Sequence, residues 1–442
     1  MMKESAYNVW VPKKTEDGSE EVIFNTLYGS MTSFMPNEAQ SVRTMLRTGN
    51  APTKQALRPI FGMLKRQKHL IADKVDELAI ISNRQRRGIS DRNRLDVIIM
   101  PTMQCNFACK YCYEKPKAST MSDDTEKAIR IWLASEIPHH KVLMLSWFGG
   151  EPMLELRRVL SISRFARMTA SRHKVQVVMH MTTNGYLLTG RNARTLLAAG
   201  VNDFQITLDG SRRCHDRMRV LRNGGPTFDT IARNIIILAK TSKLIRISLR
   251  VNFNHENLDD VPTLLKVFPC DIRSQLRLVL EPIFGDCSVS AVANLDASAV
   301  ATITTQIYRK AANMGYKVTL ASSQSTEGKL VYCYAERRNQ VIINYNGDVF
   351  KCSVCEFDPA GRVGFIGSNG TLVREKAWNQ WVAELPFSAM CKACKYLPLC
   401  MGGCRKVRLR QDKGGSICSL VPTNASEVLK RIAWGDLGTM IA

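Results

Sequence analysis

Three cysteines stand close together in the segment CNFACKYC, where Cys105, Cys109 and Cys112 follow the spacing C-x3-C-x2-C. Four thiolates complete a tetrahedral zinc site or ligate every iron of a cubane iron–sulfur cluster. Three thiolates on a cluster leave one iron with an open position. The spacing therefore predicts a cluster that binds another molecule at its fourth iron. A zinc site with a distant fourth ligand stays open as the alternative.

A second set of cysteines lies in the last quarter of the chain, with eight between residues 333 and 418. Glycine-rich turns and few long periodic segments accompany them, which is typical of a small domain held by metal rather than by a core. The segment QVIINYNGDVFKC predicts a hairpin that turns at Asn346-Gly347 and brings Cys333 near Cys352. A zinc ribbon on the segment from Cys391 to Cys404 is the alternative.

The chain has 442 residues, enough for two or three domains, and 45% of them are hydrophobic. The sequence contains no run of eighteen apolar residues and no apolar signal core near its start, so we expect a cytoplasmic protein with reduced thiols and no membrane contact. The net charge of +23 favours an acidic partner. Nucleic acid is not expected as the partner, because the sequence shows no RNA-recognition signature and no zinc-finger helix pattern.

From Leu95 onward, apolar strand patterns alternate with helical ones, for example helices over 123–137 and 227–239. The predicted strands are LDVIIM, KVLMLSWF, VQVVMHMTT, DFQITL, IRISLRVNF and LRLVLE. Such alternation predicts an α/β fold in which a parallel sheet is wrapped by helices as a partial or full barrel. Sites in these folds lie at the carboxyl ends of the strands.

Chemically distinctive residues follow five of these strands. The cysteine loop follows the first strand, GGEP (Gly149, Gly150, Glu151 and Pro152) the second, and TTNG with Asn184 the third. LDG with Asp209 follows the fourth strand, which contains Thr207, and Asn252 lies near the end of the fifth. Each feature alone could be an ordinary turn, but together they predict one site at one edge of the sheet. A lone histidine nearby, His215, is expected to orient its loop rather than to react.

Residues 1–94 have a different pattern. YNVWVP and EVIFNTLYG predict a pair of strands, and Asn37 with Gln40 resembles a capping box before an apolar-faced helix. A further helix is predicted near Asp73–Ser82, and RQRRGISDRNR is predicted to be a basic linker. Small strands plus helices indicate a compact recognition module.

The cysteine loop, with the aromatic Tyr111 before its last cysteine, resembles the radical S-adenosylmethionine (SAM) superfamily. The resemblance implies a partial (β/α)6 barrel and a [4Fe–4S] cluster whose open iron is chelated by SAM. Reductive cleavage of SAM then yields a 5′-deoxyadenosyl radical, which abstracts hydrogen from the substrate. GGEP resembles the stretch that binds the SAM amino group. The implied cofactor-binding residues are Tyr111, Gly149, Gly150, Glu151, Pro152, Asn184, Thr207, Asp209, Arg219 and Asn252.

The second cysteine set resembles the SPASM domain, which implies two auxiliary [4Fe–4S] clusters and three clusters in all. The resemblance assigns one auxiliary cluster to Cys391, Cys394, Cys400 and Cys418, and the other to Cys333, Cys352 and Cys404. The fourth ligand of the latter cluster varies within the family. Cys355 is predicted to be that ligand, while a hydrogen-donating thiol and an inert buried cysteine are the alternatives.

The resemblance predicts three domains: a leader-peptide recognition-like domain over 1–94, a radical SAM partial barrel over 95–325 and a SPASM domain over 326–442. The primary hypothesis is a maturase that cross-links or epimerises a ribosomally made precursor peptide with an acidic leader. A flavodoxin or ferredoxin would supply electrons. An anaerobic sulfatase maturase is the enzymatic alternative, although Ser353 stands where that class places Asp. A non-catalytic iron–sulfur electron-transfer protein is the alternative from another class.

Overall fold

The computed structural model describes residues 1–15, 18–114, 116–283, 297–318, 330–354 and 357–409. The strands are β1 (Met2–Glu4), β2 (Asn8–Thr15), β3 (Gly18–Asn25), β4 (Met31–Phe34), β5 (Leu70–Ala72), β6 (Arg94–Ile99), β7 (Val142–Trp147), β8 (Gln176–Thr183), β9 (Val201–Thr207), β10 (Arg246–Phe253), β11 (Leu276–Pro282), β12 (Lys317–Val318), β13 (Gln340–Ile343), β14 (Asp348–Phe350), β15 (Gly364–Ile366) and β16 (Leu372–Arg374). The α-helices are α1 (Pro36–Thr48), α2 (Arg58–Arg66), α3 (Glu77–Ile89), α4 (Asp123–Glu136), α5 (Leu156–Arg172), α6 (Gly190–Ala199), α7 (Arg212–Met218), α8 (Phe228–Thr241), α9 (Val261–Leu264), α10 (Cys270–Arg273), α11 (Ala297–Asn313), α12 (Lys376–Val382), α13 (Ala389–Lys392), α14 (Leu397–Cys400) and α15 (Arg405–Leu409).

The larger of two compact units combines residues 91–319 and 338–382. Its sheet has the order β12-β11-β10-β9-β8-β7-β6-β13-β14-β15-β16, and the strands from β12 to β13 in this order pair in parallel. The six strands predicted from the sequence are β6 to β11, which confirms an α/β fold built on a mostly parallel sheet. Because β6 to β12 lie side by side in chain order, the loops after their carboxyl ends meet at one edge.

The two faces of this sheet differ in chemistry. On one face Trp147 and Phe204 are fully buried, and the Trp147 indole donates a hydrogen bond of 3.1 Å to Ser163 in α5. Helices therefore cover this face. The alternate residues point to the other face, where polar side chains such as His180 and Asp203 stand opposite each other in register.

A hairpin extends the sheet beyond β13. β13 and β14 pair antiparallel, and the turn residue Gly347 has a φ of +87°, which glycine adopts readily. This hairpin confirms the turn predicted at Asn346-Gly347. β13 also pairs with β6, so strands from the segment assigned to a C-terminal domain belong to the main sheet. The compact units therefore divide the chain differently from the boundaries predicted at residues 94 and 325.

The second unit combines residues 1–90, 320–337 and 383–442. Its sheet has the order β2-β3-β4, and α1 packs its apolar face on a core that contains Ile23, Val42 and Leu46. A second cluster joins residues that are far apart in sequence: Tyr7, Leu27, Ile81, Phe387, Leu397 and Met401. The N-terminal module therefore shares a hydrophobic core with the cysteine-rich end of the chain.

Two local predictions for the N-terminal region are wrong. α1 begins at Pro36 with Met35 at its N-cap, and Glu38 rather than Gln40 accepts a hydrogen bond from the backbone N–H of Met35. The first six residues of the predicted basic linker are helical instead, because α3 continues to Ile89. Arginine is a good helix former, and Arg86 forms an ion pair with Glu384. No helix in the described ranges is long and apolar enough to cross a membrane.

We predict that Gly88→Ala destabilises the second unit. A Cβ at this position would lie 2.7 Å from Leu330 Cβ and 2.8 Å from Val331 Cγ1, so the close packing of α3 on these residues has to open. The expected cost is about 1–3 kcal/mol in the free energy of unfolding, measured by denaturant titration.

Gly62→Ala in α2 is the matched control, since its Cβ would meet only the flexible end of Arg66 at 3.4 Å. This change should be neutral or stabilise by up to about 1 kcal/mol. Equal behaviour of the two variants would contradict the packing described here.

Candidate functional site

The cysteine loop follows β6 and is held by a second loop of the larger unit. Backbone hydrogen bonds join Ala108 N to Val220 O at 2.9 Å and Lys110 N to Met218 O at 3.0 Å. Phe107 is buried within the cysteine loop, at 2% exposure. The backbone between the first and last cysteines is therefore fixed by the chain around α7.

The three thiols of this loop share one electrostatic environment. Burial raises the pKa of Cys105 to about 12 and that of Cys112 to about 11, and it also raises the pKa of Cys109. The positive charge of Arg219 acts against this rise at all three thiols. Because thiolates are the metal-binding form, a cationic cluster is the kind of group that would ionise them.

The described residues contain no ready-made group of three His, Cys, Asp or Glu side chains around a metal position. The structure thus brings the three cysteines into one loop beside Arg219, without gathering their thiols around one point. The chemistry of the donor set nevertheless fits a cluster, since three soft thiolates and an adjacent cation occupy this end of the sheet.

The glycine pair after β7 packs against the residues that precede Cys105. Gly150 N donates to Thr102 O at 3.2 Å, and Glu151 N donates to Gln104 O at 2.8 Å. A Cβ on Gly150 would lie only 2.2 Å from Gln104 O, and Gly149 has a φ of +108°. The glycines therefore allow two loops of the site to approach each other closely.

The Glu151 side chain is fully buried. Its carboxylate accepts hydrogen bonds from Met153 N at 2.9 Å, Thr183 Oγ1 at 2.8 Å and Asn184 N at 2.7 Å. Burial raises its pKa, and these donors act in the opposite direction. The Glu151 carboxylate therefore joins the loop after β7 to the end of β8 through these hydrogen bonds. Its predicted contact with the SAM amino group stays a prediction.

A buried polar network lies at the ends of β9 and β10. The Tyr111 hydroxyl donates to the Asp209 carboxylate and accepts hydrogen bonds from Arg219 at 2.8 Å and from the Asn252 side chain at 3.0 Å. Asn252 N also donates to Asp209 Oδ1 at 2.8 Å. Burial raises the pKa of Asp209, and the charge of Arg219 lowers it. Thr207, also buried, precedes this network on β9.

Arg219 has a buried donor in this network that is not used by the described residues. Its Nε is buried and has no hydrogen-bond partner among the described residues, and it lies 4.0 Å from Asp209 Oδ2. The guanidinium also stands 5.7 Å from the centre of the Phe107 ring. A guanidinium with a spare donor suits a ligand carboxylate.

His215 orients the loop, as the sequence predicts. Its Nδ1 accepts a hydrogen bond of 3.1 Å from Asp209 N, and its Nε2 lies 3.0 Å from Thr227 Oγ1. The Thr227 hydroxyl in turn donates to Arg219 O at 2.6 Å. Burial lowers the pKa of His215 well below its ordinary value, so the ring is neutral at pH 7.

Sequence reasoning missed several supporting residues. Asn257 donates to the backbone oxygens of Asp209 at 3.2 Å and of Asn252 at 2.9 Å, and Asn106 accepts from the Asn184 side chain at 2.7 Å. The only signal for Asn257 is its place in the turn that follows β10, where asparagine commonly bonds nearby backbone.

The second cysteine set is divided between the two units. Cys352 belongs to the larger unit, and the others that the structure describes belong to the second unit: Cys333, Cys391, Cys394, Cys400 and Cys404. Burial raises the pKa of Tyr332 to about 12, and charges on three of these thiols add to the rise, so they lie near one phenol. Cys355 and Cys418 lie outside the described residues. The cluster assignments stay predictions.

This chain is similar in sequence to a known superfamily and to several enzymes. Residues 99–268 match the model of the radical SAM superfamily. Fe-coproporphyrin III synthase of Methanosarcina barkeri is 23% identical over 163 residues, which are 37% of this chain and 38% of that enzyme. The serine-type anaerobic sulfatase-maturating enzyme of Bacteroides thetaiotaomicron is 24% identical over 356 residues, which are 70% of this chain and 82% of that enzyme.

Two solved structures have a similar fold. Native anSMEcpe with bound AdoMet and Kp18Cys peptide gives a TM-score of 0.61 at 18% identity, covering 79% of this chain and 100% of that one. SuiB of Streptococcus suis bound to S-adenosylmethionine gives 0.51 at 14% identity, covering 95% of this chain and 100% of that one. Residues 99–268 are thus similar to the radical SAM superfamily, whose members use a [4Fe–4S] cluster and S-adenosylmethionine.

Proposed function

We propose that this protein is a radical SAM peptide maturase. The observation that carries the proposal is the placement of three cysteines in one loop beside Arg219, whose buried Nε has no partner among the described residues. Cys105, Cys109 and Cys112 would hold the cluster. When bound, the reduced cluster and SAM supply a 5′-deoxyadenosyl radical that abstracts hydrogen from the substrate.

The chain's own residues prepare this site for SAM. Arg219 offers its spare donor to the SAM carboxylate, and Tyr111 and Asn252 hold Arg219 and Asp209 in place. The glycine pair lets the loop after β7 lie close to the cysteine loop. Glu151 fixes the loop with Asn184, whose side chain amide faces Asn106. Asp209, Arg219 and Asn252 are buried, which keeps the charges of this network away from bulk water.

A peptide is the proposed substrate class. The sulfatase-maturating relative and the anSMEcpe structure support it, since the first acts on a sulfatase and the second is bound to a peptide. The N-terminal module supports it separately, because its small antiparallel sheet ends in the short exposed strand β4, to which an extended leader peptide could add a strand. The net charge of +23 suits an acidic leader. The same proposal includes two auxiliary [4Fe–4S] clusters, a flavodoxin or ferredoxin as electron donor, and a cross-link or an epimerisation as the modification.

Sulfatase maturation is the second candidate function. The sequence similarity to the Bacteroides thetaiotaomicron enzyme over 70% of this chain favours it. Ser353, in place of the Asp of that class, and the additional N-terminal module count against it. Mass analysis separates the two: formylglycine appears only on a Cys or Ser of a sulfatase peptide, whereas a cross-link in a precursor peptide appears as a loss of two hydrogens.

We predict that replacing Cys105, Cys109 and Cys112 together by Ala abolishes SAM cleavage. The protein should lose about four irons, the content of one cubane cluster, and keep the iron of the C-terminal cysteines. Iron counting and chromatography of 5′-deoxyadenosine after anaerobic reconstitution measure both effects.

Cys270→Ala is the control for the cysteine variant, because Cys270 is exposed at the start of α10 and lies outside both cysteine sets. It should keep the iron and the cleavage of SAM. Unchanged iron in the triple variant, or 5′-deoxyadenosine formation by it, would show that the cluster lies elsewhere.

We also predict that Ser33→Pro weakens binding of the precursor's leader peptide about tenfold, or by about 1.4 kcal/mol. Ser33 is exposed in the edge strand β4, and proline removes a backbone donor that an added strand would use, while edge strands tolerate it. Fluorescence anisotropy with the labelled leader peptide measures the affinity.

Ser33→Ala keeps the backbone donor and should bind the peptide normally. A point substitution is needed here, because deletion of residues 1–90 would expose the core that these residues share with Phe387 and Leu397. If the proline variant folds with an ordinary unfolding midpoint and binds the leader like the alanine variant, β4 is not the docking edge.

A further inference from the structure

The polar face of the main sheet carries four cations on its last three parallel strands. Arg246 and Arg250 lie on β10, two residues before and two after Ser248, and Arg277 on β11 stands opposite Ser248 in register. Lys317 on β12 stands opposite Arg277. Because partners in a parallel ladder point to the same face, all four side chains share one face; they are called the basic strip below.

This strip is poorly neutralised. Arg246 pairs with Asp203 at 3.3 Å, and Asp203 also lies 3.4 Å from His180. In the part of the chain that the structure describes, Arg250, Arg277 and Lys317 form no ion pair. Like charges directly opposite each other on neighbouring strands destabilise a sheet, so an anion bound across Arg277 and Lys317 would relieve the repulsion.

One end of the basic strip contacts the polar network of the candidate site. Arg250 Nε donates to Asn252 Oδ1 at 2.8 Å, and the Asn252 amide donates to the Tyr111 hydroxyl. The distance along β10 from Asn252, at the site, back to Arg246, at the far end of the strip, is six residues or about 20 Å. An extended peptide of about six residues covers this length.

We propose that the basic strip binds carboxylate groups of the peptide substrate and so positions the segment next to the residue that is modified. This inference rests on the proposed function. Arginine suits a carboxylate because its donors form a planar fork, and Lys317 adds a mobile ammonium at the outer end. Thr182, Gln205 and Ser248 occupy the same row and offer neutral donors to a peptide backbone.

The test uses the full-length reconstituted enzyme and a fluorescein-labelled heptapeptide in which Gly and Glu alternate. A second probe has Gln in place of every Glu. Arg277→Gln combined with Lys317→Gln removes two cations that do not contact the Tyr111 network. We expect the wild-type enzyme to bind the Glu probe about tenfold more tightly than the Gln probe in low salt, and the double variant to lose most of this preference.

Arg191→Gln combined with Arg194→Gln is the charge-matched control, since both residues lie on α6 on the helix-covered side of the sheet. This variant should keep the preference for the Glu probe. If both double variants lose it equally, the preference comes from net charge and the strip has no special role. An unchanged preference in the strip variant would also overturn the inference.

Two further measurements separate the alternatives. A single-stranded oligonucleotide of equal charge that binds the strip more tightly than the Glu probe would assign the strip to phosphate and not to peptide carboxylates. Formation of 5′-deoxyadenosine by the wild-type enzyme tests the proposed function independently. SAM cleavage by an enzyme that shows no preference for the Glu probe would reject the strip alone, whereas no cleavage by any preparation would reject the enzyme assignment.

Discussion

The carboxylate of Asp209 is fully buried, and the site depends on how its negative charge is compensated. An unpaired carboxylate away from water would cost several kcal/mol. Arg219 supplies the opposite charge, and Tyr111 and the backbone of Asn252 supply hydrogen bonds. Each of these partners comes from a different segment: the cysteine loop, the chain after α7 and the end of β10. Satisfying one buried charge therefore fixes three segments that have to be correctly placed around the cysteines.

A second buried carboxylate, that of Glu151, also fixes segments that surround the cysteine loop. Glu151 satisfies donors from its own turn and from the end of β8, and the backbone next to it pairs with the residues before Cys105. The cysteine loop is thus held on both sides, by Asp209 through Tyr111 and by the loop of Glu151 through Gln104. The sheet underneath is also divided in its chemistry, with an apolar face for the helices and a polar face that continues into the site. This division lets one sheet act both as scaffold and as a surface for ligands.

Much of this arrangement follows from sequence pattern. The strands β6 to β11 are apolar runs bounded by turns, and the residues after them could be assigned to one edge of a sheet because parallel strands end together. The sequence pattern does not predict that the Glu151 side chain is buried, since a carboxylate beside two glycines could equally well face solvent or bind a ligand. Asn257 could not be predicted as a supporting residue of the site, because asparagine is common in turns whatever it contacts. The basic segment after Asn83 is predicted as a linker from its charge, but α3 extends to Ile89, and Gly88 within it packs closely against Leu330 and Val331.

The core shared by the two ends of the chain has a consequence for biosynthesis. Leu27 and Ile81 pack against Phe387 and Leu397, which the ribosome adds about 300 residues later. At roughly 5–20 residues per second, the emerging N-terminal segment waits on the order of 15–60 s before these partners exist. During that interval the apolar side chains of Leu27 and Ile81 lack their partners from the end of the chain. Completion of the N-terminal unit is therefore among the last events of folding, after the large sheet has been synthesised.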